Sequence, residues 1–223
     1  FMLLITGATG HSGEWFIRML MAEKYDKRVR CTVRETSNTS YLDNSGLDIE
    51  LVIGDLKDPV FANRALDQIT TVVNFTGLKC VKNLVNSDNV KYVDWVISIH
   101  STAIYSKYKA LAKEYKEIEN YLVESGKRYT IVRPTMIYGS PGDRNMIRLI
   151  RFLDRFPVIP IFGNGNYLQQ PVYVNDVAKS IVDVLFNENT IQNVFNISGK
   201  FPNTYNEIID LTAKALSRKI IKI

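Results

Sequence analysis

Histidine and cysteine are scarce, two of each in 223 residues. Cys31 and Cys80 lie far apart, so neither a disulfide framework nor a zinc site is expected, and Cys31, inside a predicted strand, reads as core. With only His11 and His100, a histidine-built metal site is not expected either. No apolar run reaches bilayer-spanning length and no secretory leader is read ahead of the first strand, so the expected setting is soluble and cytoplasmic, without a membrane partner. Internal repeats and low-complexity tracts are lacking, which sets aside solenoids and disordered arrays. Charge of one sign is also weak, with 28 basic and 23 acidic residues and a net charge of +5. Lys107, Lys109, Lys113 and Lys116 are interspersed with Glu114, Glu117 and Glu119, as on a solvated helix face. No basic block with interleaved aromatics offers a nucleic acid its groove. The mild basic excess suits a small anionic ligand.

What the chain does have is a strand, a turn and a helix at its very start. Met2-Leu3-Leu4-Ile5 ends in Thr6-Gly7-Ala8-Thr9-Gly10-His11-Ser12-Gly13, and an amphipathic stretch follows from Glu14 to Lys24 with Phe16, Met19 and Leu20 as its apolar positions. The first glycine permits a tight turn, the second lets a diphosphate approach the backbone, and the third lets helix and strand pack closely. Unpaired amides at the helix start and the helix dipole suit phosphates. The expected dinucleotide site therefore comprises Thr6, Gly7, Thr9, Gly10, His11, Ser12 and Gly13, with the His11 ring as a wall.

A second predicted strand, 29–33, ends at Arg34, where dinucleotide folds place the residue that reads the adenosine ribose. An acidic residue there would bond the 2′-hydroxyl of NAD, whereas an arginine offers a forked cation to the 2′-phosphate of NADP. NADP is the expected cofactor and NAD the alternative; the competing reading of Arg34 is a plain surface arginine. Gly54-Asp55-Leu56 follows the third strand. Asp55 either accepts from the adenine amino group or is a simple turn residue, while Asp58 caps the helix that Pro59 opens. The fourth strand runs through Phe75 into Thr76-Gly77, where backbone would face the cofactor.

Strands are predicted at 2–6, 29–33, 49–53, 71–75, 94–99 and 128–133. Helices are predicted near 13–24, 60–68, 79–87, 104–125, 144–155, 175–186 and 204–217. This alternation predicts an α/β fold, a Rossmann-type doubly wound parallel sheet, with a late strand from Val194 to Ile197 joining its edge. The expected domains are 1–138, binding the dinucleotide, and 139–223, a smaller loop-rich substrate lobe whose strand and helix return to the sheet. Ser140-Pro141-Gly142, Gly163-Asn164-Gly165 and Pro171 punctuate that lobe. Ile220 to Ile223 reads as a strand cut short, so more of the lobe is expected in the native protein.

Four motifs in this order carry a resemblance: the glycine loop, Gly54-Asp55-Leu56, Arg133-Pro134-Thr135-Met136-Ile137-Tyr138-Gly139, and Pro171-Val172-Tyr173-Val174-Asn175-Asp176-Val177-Ala178. Together they resemble the short-chain dehydrogenase/reductase superfamily, in its extended and atypical branch of NAD(P)-dependent epimerases and dehydratases, over nearly the whole chain. The resemblance implies Asp55 and Leu56 near adenine, Arg34 near the ribose phosphate, and the Arg133 to Tyr138 segment, Pro134 included, bordering the nicotinamide and substrate. It also implies a Ser or Thr closing the fifth strand and a Tyr-x-x-x-Lys pair on the next helix. There the tyrosine exchanges a proton with the substrate and the lysine assists its ionisation.

Here Ile97-Ser98-Ile99-His100-Ser101-Thr102-Ala103-Ile104-Tyr105 is similar to the strand-end motif, and Tyr105-Ser106-Lys107-Tyr108-Lys109 has the pair's spacing. That spacing would put Tyr105 and Lys109 on one helix face. The expected roles are Tyr105 as acid/base, Lys109 tuning it, and Ser101 or Thr102 holding the substrate oxygen. Two features pull against this. Tyr105 follows Thr102 by three positions, where the family leaves a longer loop. Tyr105, Tyr108, Ala112, Tyr115, Ile118 and Leu122 also form an apolar stripe that would make Tyr105 ordinary core. His100 reads either as a polar group or proton carrier at the nicotinamide end, or as a hydrogen-bonded structural histidine. Asp176 is expected to N-cap a helix whose apolar face is Val177, Ile181, Val184 and Leu185, with Gln169 and Gln170 placed to meet a polar ligand. The implied function is an epimerase/dehydratase-like oxidoreductase. It would transfer hydride at a carbinol or carbonyl carbon of a small molecule, by resemblance a nucleotide sugar, and a homodimer is compatible with it. The rivals are a non-catalytic NADP(H)-sensing regulator and an NADPH-dependent flavin or quinone reductase.

Overall fold

Short runs of aliphatic and β-branched residues become strands buried on both faces, as a parallel sheet covered by helices requires. In the computed structural model, which describes residues 2–107, 109–143 and 145–223 (the side chains of Leu78, Lys109 and Leu111 also lie outside the description), they alternate with helices. The order is β1 (Leu3–Thr6), α1 (His11–Ala22), β2 (Val29–Val33), α2 (Ser40–Asp43), β3 (Ile49–Ile53), α3 (Pro59–Ala65), β4 (Thr71–Asn74), α4 (Leu78–Val85), β5 (Trp95–Ile99), α5 (Lys109–Glu124) and β6 (Arg128–Pro134). Then follow β7 (Ile137–Tyr138), α6 (Met146–Arg155), β8 (Val158–Ile159), β9 (Leu168–Gln169), β10 (Val172–Tyr173) and α7 (Val174–Leu185). The chain closes with β11 (Asn193–Ile197), β12 (Asn203–Thr204), α8 (Tyr205–Ala215) and β13 (Ile221–Lys222).

The central sheet has the order β11-β6-β5-β4-β1-β2-β3. Pairings from β6 through β3 are parallel. Gln192 N–H donates to the Tyr129 carbonyl at 2.7 Å and Thr135 N–H to the Ile197 carbonyl at 2.9 Å, so β11 runs beside β6 in the same sense. The expected edge strand and the doubly wound sheet are both present. From β1 the chain builds outward through β2 and β3, then returns to β4 on the other side and builds through β5 and β6. Ligands of open α/β sheets bind at that reversal, beyond the carboxyl ends of β1 and β4. No helix among the described residues is long and apolar enough to cross a membrane.

The chain forms two compact units, Phe1–Pro134 with Ala178–Asn196, and Thr135–Val177 with Ile197–Ile223. The first has its core around Leu4, Leu66, Ile69, Val72, Leu122 and Ile131. The second packs Leu153, Ile159 and Ile209 together. It is laced by three two-stranded ladders, β10 with β7, β12 with β9 and β13 with β8.

Several local expectations are corrected. The helix expected over 104–125 is interrupted: Thr102–Tyr105 is a 3-10 turn, Ser106 is extended with φ −62° and ψ 142°, and α5 begins at Lys109. Tyr105 and Lys109 therefore share no helix face. Ala112, Ile118 and Leu122 of the apolar stripe are buried, but Tyr105 is 64% exposed and is not core; Tyr108 lies outside the described residues. Lys113, Glu114, Lys116 and Glu117 are solvated as expected, whereas Glu119 is buried. Asp176 lies in the first turn of α7, which starts two residues earlier at Val174, so it is not the N-cap. The apolar face of α7 is buried as expected, and Asp58 accepts the Val60 N–H at 3.0 Å as the cap of α3.

Candidate functional site

The glycine loop is shaped by contacts that only glycine permits. Gly7 has φ +70°, a left-handed conformation. A Cβ on Gly13 would lie 2.2 Å from the Gly7 carbonyl oxygen and 2.9 Å from the Ala8 Cα, so the first turn of α1, with His11 and Ser12, can pack on β1 only with glycine there. Gly10 N–H donates to the Gly7 carbonyl at 2.9 Å, and no side chain caps α1 at Gly10. The start of the helix is thus open to an anion. Across the reversal of the sheet, Gly77 begins α4, likewise without a side-chain cap, and a Cβ there would meet nothing within 4 Å. Phe75 packs on Phe16 with ring centroids 5.5 Å apart, and the Thr76 hydroxyl donates to Asn74 Oδ1 at 2.5 Å.

The loop after β2 is latched to the glycine loop. The Tyr41 hydroxyl donates to the Ala8 carbonyl. Thr9 Oγ1 donates to Ser37 Oγ at 3.4 Å, and Ser37 Oγ accepts the Arg34 N–H at 3.1 Å. Desolvation by burial pushes the Tyr41 phenol up from its ordinary pKa, which keeps it a donor at every physiological pH. Arg34 is exposed, and its guanidinium has no partner among the described residues. Asp55 is also exposed. Its carboxylate accepts the Lys57 N–H at 2.9 Å, as a turn residue does. The Leu56 side chain joins the core, while its carbonyl accepts from Asn83 Nδ2 at 2.8 Å.

At the carboxyl end of β5 a chain of side-chain hydrogen bonds crosses the sheet. Thr6 Oγ1 donates to Asn74 Oδ1 at 2.7 Å, and Asn74 Nδ2 donates to Ser98 Oγ at 3.1 Å. Ser98 Oγ lies 2.8 Å from His100 Nε2, and His100 Nδ1 lies 3.1 Å from Glu119 Oε1. Glu119 receives two donors from Arg133, Nε at 2.7 Å and Nη2. Arg133 Nη1 donates to the Tyr105 hydroxyl at 2.7 Å, and Asn196 Nδ2 donates to the same oxygen at 3.4 Å. Ser98, His100 and Glu119 have the connectivity of a hydrolytic triad, but Ser98 is fully buried and no substrate can reach it. Burial pushes the Glu119 carboxyl up, but the bonds from His100 and Arg133 outweigh it and hold the group below the usual carboxylate range. Both ring nitrogens of His100 are engaged in hydrogen bonds.

Ser101 Oγ accepts the Ala103 N–H at 3.1 Å, and Thr102 Oγ1 donates to the Pro134 carbonyl at 3.4 Å. Lys109 opens α5, but its side chain lies outside the described residues. In the second unit Gln170 Nε2 is spent on the Gly199 carbonyl at 2.6 Å. Sequence reasoning missed Asn74, Ser98, Glu119 and Asn196 as members of this assembly. A strand-end Asn and Ser in adjacent strands could have been paired by register, since Asn74 aligns with Ser98. Glu119 carried no signal that periodicity could read.

The sequence pattern of a family described as NAD(P)H-binding matches residues 7–188. The chain belongs to that family. The match spans the three loop glycines, the Arg34 turn, the Asn74-to-Tyr105 assembly and all of α7. The ceramide reductase of Caulobacter vibrioides is 28% identical over 193 residues, which are 80% of this chain and 59% of that protein. The chain therefore spans about three fifths of the length of that curated relative. Among solved structures, a nucleoside-diphosphate-sugar epimerase from Staphylococcus aureus superposes with a TM-score of 0.82 at 21% identity, covering 100% of this chain and 80% of its own. The UDP-glucuronic acid 4-epimerase of Bacillus cereus, in complex with UDP-glucuronic acid and NAD, superposes with a TM-score of 0.82 at 18% identity, covering 100% and 85%. These likenesses show a shared fold. The expectation of an NAD(P)-binding protein with a doubly wound parallel sheet holds, and the cofactor is a nicotinamide dinucleotide.

Proposed function

We propose that the chain is an NADP(H)-dependent oxidoreductase acting at a carbinol or carbonyl carbon, with Tyr105 as the proton-exchanging group. The observation that supports it is the Tyr105 hydroxyl: solvent-facing, yet fixed at 2.7 Å by a guanidinium that Glu119 and His100 in turn lock in place. The bond from Arg133 fixes where the phenol oxygen stands, so that it can meet a substrate proton in one geometry. Arg133 takes the place that the family pattern gives to a lysine. Ser101 and Thr102, one residue from the end of that assembly, hold the substrate oxygen. When bound, NADPH supplies the hydride. The glycine loop and Gly77 hold the diphosphate, and Arg34 pairs with the 2′-phosphate.

The interruption between Tyr105 and Lys109 favours a second reading, a cofactor-sensing regulator without turnover. A screen of carbonyl compounds and nucleotide sugars, followed by NADPH absorbance, separates the two. Binding of NADPH with no turnover across the screen favours the regulator. Cofactor identity is tested in the same preparation. Arg34→Ala is expected to weaken NADPH by about ten- to a hundredfold, the size of one lost charge-assisted contact, and to leave NADH nearly unchanged. Calorimetric titration of both cofactors checks this, and equal losses would mark Arg34 as structural.

A further inference from the structure

The second unit holds a cavity of about 400 Å³, within the range of small-molecule sites. Its walls are formed by Met136, Leu149, Phe152, Ile159, Phe162 and Ile208, among others. Asn145, Arg148 and Gln169 line it with polar side chains, beside Tyr205, whose ring stacks on Tyr167. None of the three has a side-chain partner among the described residues, so their hydrogen-bonding capacity is unspent. An apolar wall with a few convergent polar groups is the composition that binds an apolar body and orients one polar head.

The same cavity is poorly suited to a diphosphate. Its rim includes the start of α6, where backbone amides could receive phosphate oxygens. Those amides are already engaged: Asp143 Oδ1 accepts the Asn145 and Ile147 N–H groups at 2.9 Å each, and Asp143 is buried. A ligand carrying two phosphate charges would meet that fixed carboxylate and, among the described residues lining the cavity, a single cation, Arg148.

We infer that this cavity binds an amphipathic ligand with an acyl or aryl body and one anionic head, the head taken by Arg148 with Asn145 and Gln169. The inference rests on the proposed oxidoreductase only in naming this ligand as the substrate class; the binding itself is read without cofactor or turnover. The test is calorimetric titration of the full chain with decanoate and, separately, with UDP-glucose. Decanoate is expected to bind saturably and UDP-glucose to bind more weakly than decanoate. Arg148→Ala and Phe152→Ala, both at solvent-accessible positions of α6, are each expected to weaken decanoate about tenfold, and Arg148→Lys to retain most of the affinity. Circular dichroism of the variants confirms that the fold is kept. Absence of saturable decanoate binding, wild-type affinity in both alanine variants, or tighter binding of UDP-glucose each overturns the inference. NADPH binding and turnover are measured apart from this, so failure here leaves the oxidoreductase reading intact, and the reverse also holds.

Discussion

Tyr105→Phe is expected to lower turnover on a reduced or oxidised substrate by about a hundred- to ten-thousandfold, the usual contribution of a positioned proton donor. NADPH affinity should stay near the wild-type value, because the hydroxyl is bonded to Arg133 and Asn196 and not to the glycine loop. Stability should also change little. The phenol is 64% exposed, so removing its oxygen strands no buried partner except one guanidinium nitrogen that water can reach. The combination is what makes the experiment informative: a large kinetic effect with an unchanged melting curve and unchanged cofactor binding. Turnover within threefold of wild type would remove Tyr105 from the chemistry and move the assignment to the regulator.

The second large effect concerns Glu119. Its carboxylate is buried between His100 and Arg133 and is the only described acidic partner of that arginine. Glu119→Gln replaces an acceptor of three hydrogen bonds with a group that presents N–H toward a cation. It leaves the Arg133 charge poorly compensated. Removing one member of a buried pair typically costs about 3–5 kcal/mol, and urea unfolding at pH 7 should show a loss of that size. The sign with pH follows from the direction of the shift. A carboxyl held below its unfolded value stabilises the fold above that value, near pH 4.3, and the contribution fades as pH falls through the folded value. The gap between wild type and variant should therefore be full at pH 7 and narrow progressively below about pH 4. A gap that is absent at pH 7, or that widens on acidification, would show that Glu119 is not the anchor of this assembly. Arg133, released from Glu119, would also lose its aim at Tyr105, so turnover should fall with stability.

Much of the fold was legible because its signals are local. The first strand opens on the apolar run Leu3-Leu4-Ile5, and Gly10 and Gly13 lie within a few residues of the Gly7 carbonyl that both must clear. The candidate cofactor residues followed from the same local grammar. Tyr105 was misplaced because helix periodicity continues across Ser106, whose extended backbone ends the 3-10 turn without any glycine or proline to mark it. Glu119 was misplaced for a different reason. It follows Lys116 and Glu117, both solvated, and the partners that make its burial tolerable are nineteen residues before it and fourteen after it. No window along the chain contains all three. The two-residue strands of the second unit were equally invisible, since two residues hold no period.

The hydrogen-bond chain that starts at Thr6 has a set direction as far as Ser98. Asn74 Oδ1 accepts from the Thr6 hydroxyl and from both the Thr76 amide and hydroxyl, which fixes the orientation of its amide group. Asn74 Nδ2 then gives to Ser98 Oγ, which lies against His100 Nε2, while His100 Nδ1 faces Glu119. Flipping the Asn74 amide would break the three bonds its Oδ1 accepts, so the row is pinned where β1 and β4 meet. The carboxyl end of β1 thus orients a side chain of β4 whose far side meets Ser98, one strand further along the sheet.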